Sequence, residues 1–263
     1  MPEGDTIHTI ARVMRPDLVG RALLEVELRQ RAAPWGPGAV GTSCEAIGKH
    51  LVLGFDAPSS GPRTVRVHLG MKGSWHRYRP GENWHVGAHR RRVVLRTAEW
   101  VFVCFDAKEV DSTRRPAVHH LGPDLLAPEP SFDVIVARAR AAGADLALGE
   151  LLLAQTVACG IGNVYKCEAL FLAGLDPWRP SGSLDDARLE ALYRLAQALM
   201  QDNLERGGWR TTTRASPVPT RPAEHRHFVY RRANRPCLRC GALVMSRLQG
   251  EQARMTYWCP RCQ

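Results

Sequence analysis

The stretch from 237 to 262, CLRCGALVMSRLQGEQARMTYWCPRC, contains two Cys-x-x-Cys pairs that are separated by 18 residues. This spacing is typical of a four-thiolate zinc site built on a β-hairpin. A chance spacing or a redox-active cysteine pair is the alternative interpretation. Because four cysteine ligands leave no open coordination position, the Zn²⁺ ion would stabilise the fold and take no part in chemistry. The predicted ligands are Cys237, Cys240, Cys259 and Cys262.

The same end of the chain carries most of the positive charge. The formal net charge is +10 and the sequence pI is about 9.6. Residues 204 to 263 contain 12 arginines, no lysine and 3 glutamates, which places +9 of the total there. The forked guanidinium group is well suited to phosphate. The charge therefore indicates a polyanionic partner such as nucleic acid, with a solvated basic surface as the alternative.

Upstream of the cysteines the hydrophobic pattern is helical. Apolar residues recur at helical spacing in three segments, 145–157, 163–174 and 184–207. Two glycines in the break ACGIG (158–162) place Asn163 where we expect the next helix to be capped. The N-terminus of such a helix can bind phosphate, although an ordinary helical hairpin is the alternative. Residues 207–228 are basic and contain prolines, and we expect a loop that orders on its ligand.

The first half of the chain has the pattern of a β protein. Five short segments rich in Val, Leu, Ile or Phe are separated by Gly, Pro or polar turns, at 22–29, 44–56, 64–70, 91–97 and 99–106. Strands without long intervening helices predict an antiparallel sandwich or barrel. Three prolines and a loss of periodicity in 120–133 predict a linker between two domains.

The chain starts with MPEGDTIH (1–8), which predicts a short helix with Asp5 as its N-cap and Pro16 just beyond its end. If Met1 is removed, Pro2 carries a secondary amine that can attack an aldehyde-level carbon and form a cationic iminium. The positive end of the helix would favour a carboxylate at Glu3. A plain helix start is the alternative for these residues.

Other features place the protein broadly. No apolar run approaches the roughly 18 residues of a membrane span, and no secretory signal is recognisable, so we expect a cytoplasmic protein without a membrane partner. The four remaining cysteines lie scattered in apolar segments and are interpreted as core residues: Cys44, Cys104, Cys159 and Cys167.

Taken together, MPEG, HLGM, LGPDLL, ACGIGNVY, VYRRANRPCLRCG and RMTYWCPRCQ resemble the formamidopyrimidine-DNA glycosylase / endonuclease VIII family over nearly the whole chain. The resemblance implies an α+β protein of two domains. Its N-terminal domain would be an antiparallel β-sandwich with a flanking helix (1–121), followed by a linker (122–132). The C-terminal part would contain a helix-two-turn-helix domain (133–232) and a β-hairpin zinc finger (233–263).

The resemblance also implies roles for individual residues. Pro2 would be the nucleophile that attacks the sugar carbon of a damaged nucleotide, and Glu3 the acid that assists opening of the sugar ring. Lys49, in a predicted hairpin, would contact phosphate and aid proton transfer. Asn163 and Arg254 would bind the phosphate backbone. Arg254, at the tip of the zinc finger beside the flipped nucleotide, would also count among the catalytic residues. Met71 would fill the gap that the flipped nucleotide leaves.

The chain departs from the family pattern at three places. Thr6 stands where many members have a second glutamate, and no aromatic residue follows the arginine pair 114–115 where purine-specific members have Arg-Arg-Phe-Gly. Gly70 and Lys72 flank Met71, the residue predicted to fill the gap, so the set of side chains that fills the gap in the family is incomplete here. The expected function is a monomeric glycosylase/AP lyase that acts on damaged DNA, mainly on oxidised pyrimidines. The same enzyme acting on oxidised purines, or a non-catalytic binder of gapped or abasic DNA, is the alternative.

Overall fold

The computed structural model describes residues 2–58, 60–115, 117–206, 212–213 and 226–263. The chain divides into two compact units, the first ending at His119 and the second beginning at His120. Residues 122–132, predicted above as a linker, belong to the second unit, where the side chain of Leu125 is fully buried. The finer domain boundaries given above stay a prediction.

The first unit begins with a helix, α1, at Gly4–Leu18, and continues as strands. The strands are β1 (Glu25–Leu28), β2 (Arg31–Ala32), β3 (Val40–Ile47), β4 (His50–Ala57), β5 (Gly61–His68), β6 (Ser74–Tyr78), β7 (Arg91–Arg96), β8 (Val101–Phe105) and β9 (Glu109–Thr113). They form two antiparallel sheets, ordered β2-β1-β7-β8-β6 and β3-β4-β5-β9. One apolar core contains residues of both sheets and of α1, including Ile7, Leu53 and Phe102. The predicted antiparallel sandwich with a flanking helix is therefore confirmed.

Helix α1 packs closely against strand β3. A Cβ atom on Gly41 would lie 2.3 Å from the carbonyl oxygen of Leu18, so only glycine fits at this contact. Two details of the helix prediction were wrong. The N-cap is Glu3, not Asp5, and Pro16 lies inside the helix instead of beyond it. Pro16 lies in the last turn, so a kink at this proline affects only the two helical residues that follow it.

The second unit is helical with a terminal hairpin. Its described elements are α2 (Phe132–Ala141), α3 (Leu148–Leu151), α4 (Asn163–Ala173), α5 (Asp186–Arg206), β10 (Met245–Gln249) and β11 (Arg254–Trp258). The helices enclose a core that includes Ile135, Tyr165 and Leu192. A smaller cluster joins Phe171 of α4 to Cys237 and Cys259 of the predicted zinc finger. The predicted helical domain with a cysteine-bearing β-hairpin is confirmed, and none of the described helices is long and apolar enough to cross a bilayer.

Candidate functional site

The first candidate residues lie at the N-terminus of α1. Pro2 is half-buried and directly precedes Glu3, which is fully buried. Glu3 caps the helix with its backbone, because its carbonyl oxygen accepts hydrogen bonds from the N–H groups of Thr6 (3.0 Å) and Ile7 (3.2 Å). Its carboxyl group makes no capping bond. Met1, whose removal would expose the Pro2 amine, lies outside the described residues.

Asp5 places a second carboxylate directly before Thr6, the position at which many family members have a glutamate. Asp5, in the first turn of α1, is 6% exposed. The hydroxyl group of Thr6 donates a hydrogen bond to Oδ1 of Asp5 at 3.4 Å. Thr6 therefore contacts an acidic group, although it does not supply one.

Helix α1 and strand β3 run in opposite directions, and this brings Pro2 and Lys49 to the same end of the first unit. Val19 pairs with Gly41, and Nε of Arg15 donates to the carbonyl oxygen of Cys44 at 3.0 Å. From that contact, Glu3 lies about 18 Å back along the helix. Ile47, the last residue of β3, lies about 10 Å further along the strand, and the turn with Lys49 follows it. The N-terminus and the hairpin lysine therefore lie toward the same end of the first unit.

Lys49 lies in the two-residue turn between β3 and β4. Ile47 pairs with His50 across this turn, and Gly48 adopts a φ of +57° that favours glycine. His50 in turn pairs with His68, the last residue of β5, and the two rings lie 4.8 Å apart. Lys49 therefore lies on a tight hairpin turn at one end of the four-stranded sheet.

A polar cluster surrounds this histidine pair. Arg66 lies 3.1 Å from Nδ1 of His50 and forms an ion pair with Asp111. Glu109 Oε1 lies 3.7 Å from Nδ1 of His68. Burial lowers the pKa of His68 below its usual value, and the positive charge of Lys49 adds to this effect. Burial and the nearby lysines thus disfavour the protonated form of His68, whereas the carboxylate of Glu109 favours it.

Met71 lies in the turn that follows β5, so it is at the same end of the sheet as Lys49. Its side chain is 68% exposed, whereas Leu69 beside it is buried. The turn is closed by the N–H of Gly73, which donates to the carbonyl oxygen of Leu69 at 3.1 Å. Gly70, with φ +65°, allows the sharp change of direction. An exposed, flexible apolar side chain on a tight turn has the form of a wedge.

In the second unit, Asn163 is the first residue of α4, and Gly162 is the N-cap. The expectation that Asn163 caps the helix was therefore wrong by one residue. Its amide group instead donates to the carbonyl oxygen of Met255 in β11 at 2.7 Å. Its Oδ1 atom is buried and has no hydrogen-bond partner in the described part of the chain. Asn163 therefore joins the start of α4 to the terminal hairpin.

Arg254 is the first residue of β11 and is half-buried. It pairs with Gln249, the last residue of β10, so it stands where the two strands turn. Because Met255 follows directly, the hydrogen bond from Asn163 brings the start of α4 next to Arg254. The structure thus places these two predicted phosphate-binding residues in one region of the second unit.

The four cysteines of the opening stretch lie together. Their sulfur atoms are all within 4.8 Å of one another, with Cys237 and Cys262 3.9 Å apart and Cys240 and Cys259 3.5 Å apart. Four thiolates at about 2.3 Å from one tetrahedral ion would be about 3.8 Å apart, so the donor set fits a metal. The backbone N–H of Ala242 lowers the pKa of Cys240 to about 7.

The scattered cysteines have the opposite environment. Cys44, Cys104, Cys159 and Cys167 are all buried. Burial raises the pKa of Cys44 to about 12, and that of Cys104 is raised further. Thiols that stay protonated at neutral pH are poor nucleophiles, which agrees with their interpretation as core residues.

Two charged residues of α4 that the sequence interpretation passed over are fully buried: Lys166 and Glu168. Glu168 accepts hydrogen bonds from the N–H groups of Phe228 (2.7 Å), Val229 (2.9 Å) and Tyr230 (2.8 Å). The signal that could have found both is the presence of charges in a helix whose other faces are apolar. The loop at 207–228 lies outside the described residues except for 212–213 and 226–228.

Two family models match the chain. The model described as the formamidopyrimidine-DNA glycosylase N-terminal domain matches residues 1–112, and the one described as the formamidopyrimidine-DNA glycosylase H2TH domain matches residues 121–215. Their boundary falls close to the division between the two compact units.

Similar proteins cover the whole chain. A Streptomyces coelicolor protein named "Probable endonuclease 8 2" is 41% identical over 273 residues, covering 100% of this chain and 94% of that protein. A Mycolicibacterium smegmatis protein named as a DNA-(apurinic or apyrimidinic site) lyase is 37% identical, covering 100% and 99%. The crystal structure of the MutM (Fpg) protein from Thermus thermophilus has a TM-score of 0.77 at 27% identity, covering 100% and 98%.

Proposed function

The chain belongs to the formamidopyrimidine-DNA glycosylase / endonuclease VIII family of base-excision repair enzymes, which are DNA glycosylases with AP lyase activity, and on this premise we propose how it acts. It removes oxidised bases, mainly pyrimidines, through a Schiff base formed by Pro2, followed by β,δ-elimination. The observation that carries this proposal is the position of Pro2 directly before the N-terminus of α1, next to the buried carboxyl group of Glu3.

The chemistry follows from a secondary amine at that position. The reference pKa of an α-amino group, roughly 7.7 to 8.0, leaves a useful neutral fraction near pH 7. The neutral nitrogen of Pro2 forms a bond to C1′ of the damaged nucleotide, while the bond from C1′ to the base breaks and the base takes up the proton that the nitrogen loses. Glu3 protonates the ring oxygen of the sugar as the ring opens. The product is a cationic iminium between Pro2 and C1′.

The iminium then promotes strand cleavage. Its positive charge acidifies the proton on C2′, and loss of that proton expels the 3′ phosphate by breaking the C3′–O bond. Loss of the proton on C4′ then breaks the C5′–O bond and expels the 5′ phosphate. Water finally hydrolyses the iminium, which restores the amine of Pro2.

DNA binding is assigned to residues of both units. A base within the stack must be turned outward at a cost of a few kcal/mol, and an apolar wedge in the vacated site recovers part of it. The exposed side chain of Met71 supports that role. Lys49, Asn163 and Arg254 contact the phosphate backbone, where their positive or N–H-bearing groups neutralise or bind its oxygens.

Cys237, Cys240, Cys259 and Cys262 would hold one Zn²⁺ ion, and the observed sulfur separations support this assignment. When bound it supplies structural stability only, because four thiolates leave no position for substrate. The four ligands flank the hairpin that carries Arg254, so a bound ion would hold the two ends of this hairpin together.

The proposed preference for pyrimidine lesions rests on the lack of an aromatic residue directly after Arg114 and Arg115. Both arginine side chains are exposed beyond the end of β9, and no aromatic residue comes after them to fill the gap opposite a flipped purine. Excision assays on paired oligonucleotides that carry thymine glycol or 8-oxoguanine test this preference. Faster release of the purine lesion would contradict it.

Borohydride trapping tests the nucleophile. Reduction of the iminium should link wild-type protein to an oligonucleotide with an abasic site, and Pro2→Gly should lose most of the adduct. The intact mass of the wild-type protein should show that Met1 has been removed. If wild-type protein without Met1 binds the oligonucleotide but gives no adduct, the protein is instead a non-catalytic binder of abasic DNA.

A further inference from the structure

Strand β11 is bonded to helix α4 through three consecutive residues, 255 to 257. The amide of Asn163 donates to the carbonyl oxygen of Met255 at 2.7 Å. One turn along the helix, Nζ of Lys166 donates to Oγ1 of Thr256 at 2.6 Å. The N–H of Tyr257 lies 3.5 Å from Sγ of Cys167. Residues 163, 166 and 167 share one helix face, so a single face of α4 determines the position of the strand that begins at Arg254.

Lys166 is the centre of this contact. Both Lys166 and Thr256 are fully buried. The hydroxyl group of Thr256 donates onward to Oε1 of Gln249 at 2.8 Å, and the Gln249 amide donates to the carbonyl oxygen of Pro177 at 2.7 Å. Each group donates to the next, so the bonds polarise one another in the same direction. The chain of hydrogen bonds thus links α4 to both strands of the hairpin.

The chain of hydrogen bonds passes Arg254 on two sides before it ends at Pro177. Thr256 is two residues after Arg254, so both side chains are on the same face of β11. Gln249 is the cross-strand partner of Arg254. A buried ammonium group is costly, and an apolar residue would fill the same space without that cost. A lysine at this place is therefore best explained by what its hydrogen bonds hold in position.

We propose that Lys166 is a positioning residue for Arg254, acting through Thr256 and Gln249. This inference rests on the proposed function, in which Arg254 contacts the DNA backbone. Lys166 does not touch DNA in this account. It keeps Arg254 in register with Asn163 at the start of α4, so that both contact the phosphates from one rigid frame. A displacement of about 1 Å at such a contact can cost up to 100-fold in rate.

The test compares Lys166→Met with two substitutions of its partner, Thr256→Val and Thr256→Ser. Single-turnover cleavage of a lesion oligonucleotide is measured over a range of protein concentrations. Lys166→Met and Thr256→Val should each lower the maximal rate about tenfold and leave the concentration for half-maximal rate within about twofold. Thr256→Ser retains the hydroxyl group and should restore a rate within about twofold of wild type. Zinc content should be unchanged in all three variants.

A double-mutant cycle separates positioning from a general loss of fold. In an Arg254→Ala background, Lys166→Met should lower the rate by less than about twofold further, because the residue it positions is gone. A further tenfold loss in that background, or a full rate for Lys166→Met alone, would overturn the proposal. Thr256→Val provides the same test if Lys166→Met does not fold. Failure of the proposed function is distinguishable, because it would appear as absent borohydride trapping by wild-type protein.

Discussion

Glu168 offers the sharpest prediction about what holds the second unit together. Its carboxylate is fully buried, and four donors converge on it. Oε1 accepts from the N–H groups of Val229 and Tyr230, and Oε2 from the N–H of Phe228 and the hydroxyl group of Thr212. The N–H of Thr212 also donates to the carbonyl oxygen of Arg226 at 2.8 Å. Glu168 therefore joins both described parts of the 207–228 loop, at Thr212 and Phe228, to α4.

Replacement by glutamine keeps the size and changes the hydrogen bonding. If the new NH₂ group takes the place of Oε2, the hydroxyl group of Thr212 can rotate and accept, but the N–H of Phe228 faces another donor. An unpaired buried N–H costs about 1 to 3 kcal/mol, and the remaining bonds lose their ionic character. We expect Glu168→Gln to destabilise this segment by about 3 kcal/mol, which corresponds to an increase of roughly 100-fold in its opening equilibrium.

Hydrogen exchange measures this opening at the segment itself, which a single melting temperature of a two-unit protein does not. Amides of residues 228–230 should exchange roughly 100-fold faster in Glu168→Gln, while those of α1 and β3 stay unchanged. Glu190→Gln is the matched control, because Glu190 makes an exposed ion pair with Arg194 on α5. That pair contributes about 0.5 kcal/mol or less. Unchanged exchange at 228–230, or equal acceleration by Glu190→Gln, would refute the reasoning.

Three further predictions concern the site. Arg254→Ala should slow lesion processing roughly tenfold or more and leave the zinc content unchanged. Arg247→Ala removes the same charge from the same hairpin and should have a much smaller effect. Single-turnover cleavage and zinc analysis of both variants test this prediction. Removal of zinc by a chelator should abolish strand cleavage and increase exchange in 237–262, while amides of the first unit keep their protection. Burial lowers the pKa of His68; Lys49 and Lys108 lower this pKa further, whereas Glu109 raises it. The folded state therefore binds fewer protons than the unfolded state, and the stability of the protein should fall as the pH drops below about 6.5. Denaturant titrations over a range of pH should show a flatter dependence for His68→Asn.

The sequence alone determined the features that depend on local pattern. Two cysteine pairs at the right spacing predicted the thiol cluster, because a metal site needs only four ligands at the ends of one hairpin. Helical periodicity in 184–207 predicted α5, observed at Asp186–Arg206, because a long amphipathic helix repeats its signal over many turns. The short strands of the first half also predicted a sandwich, because strand composition and turn residues can be recognised without knowing which strands pair. The end of α1 was predicted less well, because in the sequence a proline in the last turn of a helix looks the same as a proline just after the helix.

Only the tertiary structure decided which distant residues meet. The partner of Asn163 is 92 residues away and that of Lys166 is 90 residues away, and no local pattern predicts contacts at such separations. Burial of Lys166 and Glu168 likewise depends on the hairpin and the 226–230 segment that cover α4. The start MPEG predicted an amine beside a carboxylate, but the opposite directions of α1 and β3 decided that Lys49 lies at the same end of the first unit. The reason is that a chain's periodicity specifies its elements, whereas packing of whole elements against each other specifies which of their residues become neighbours.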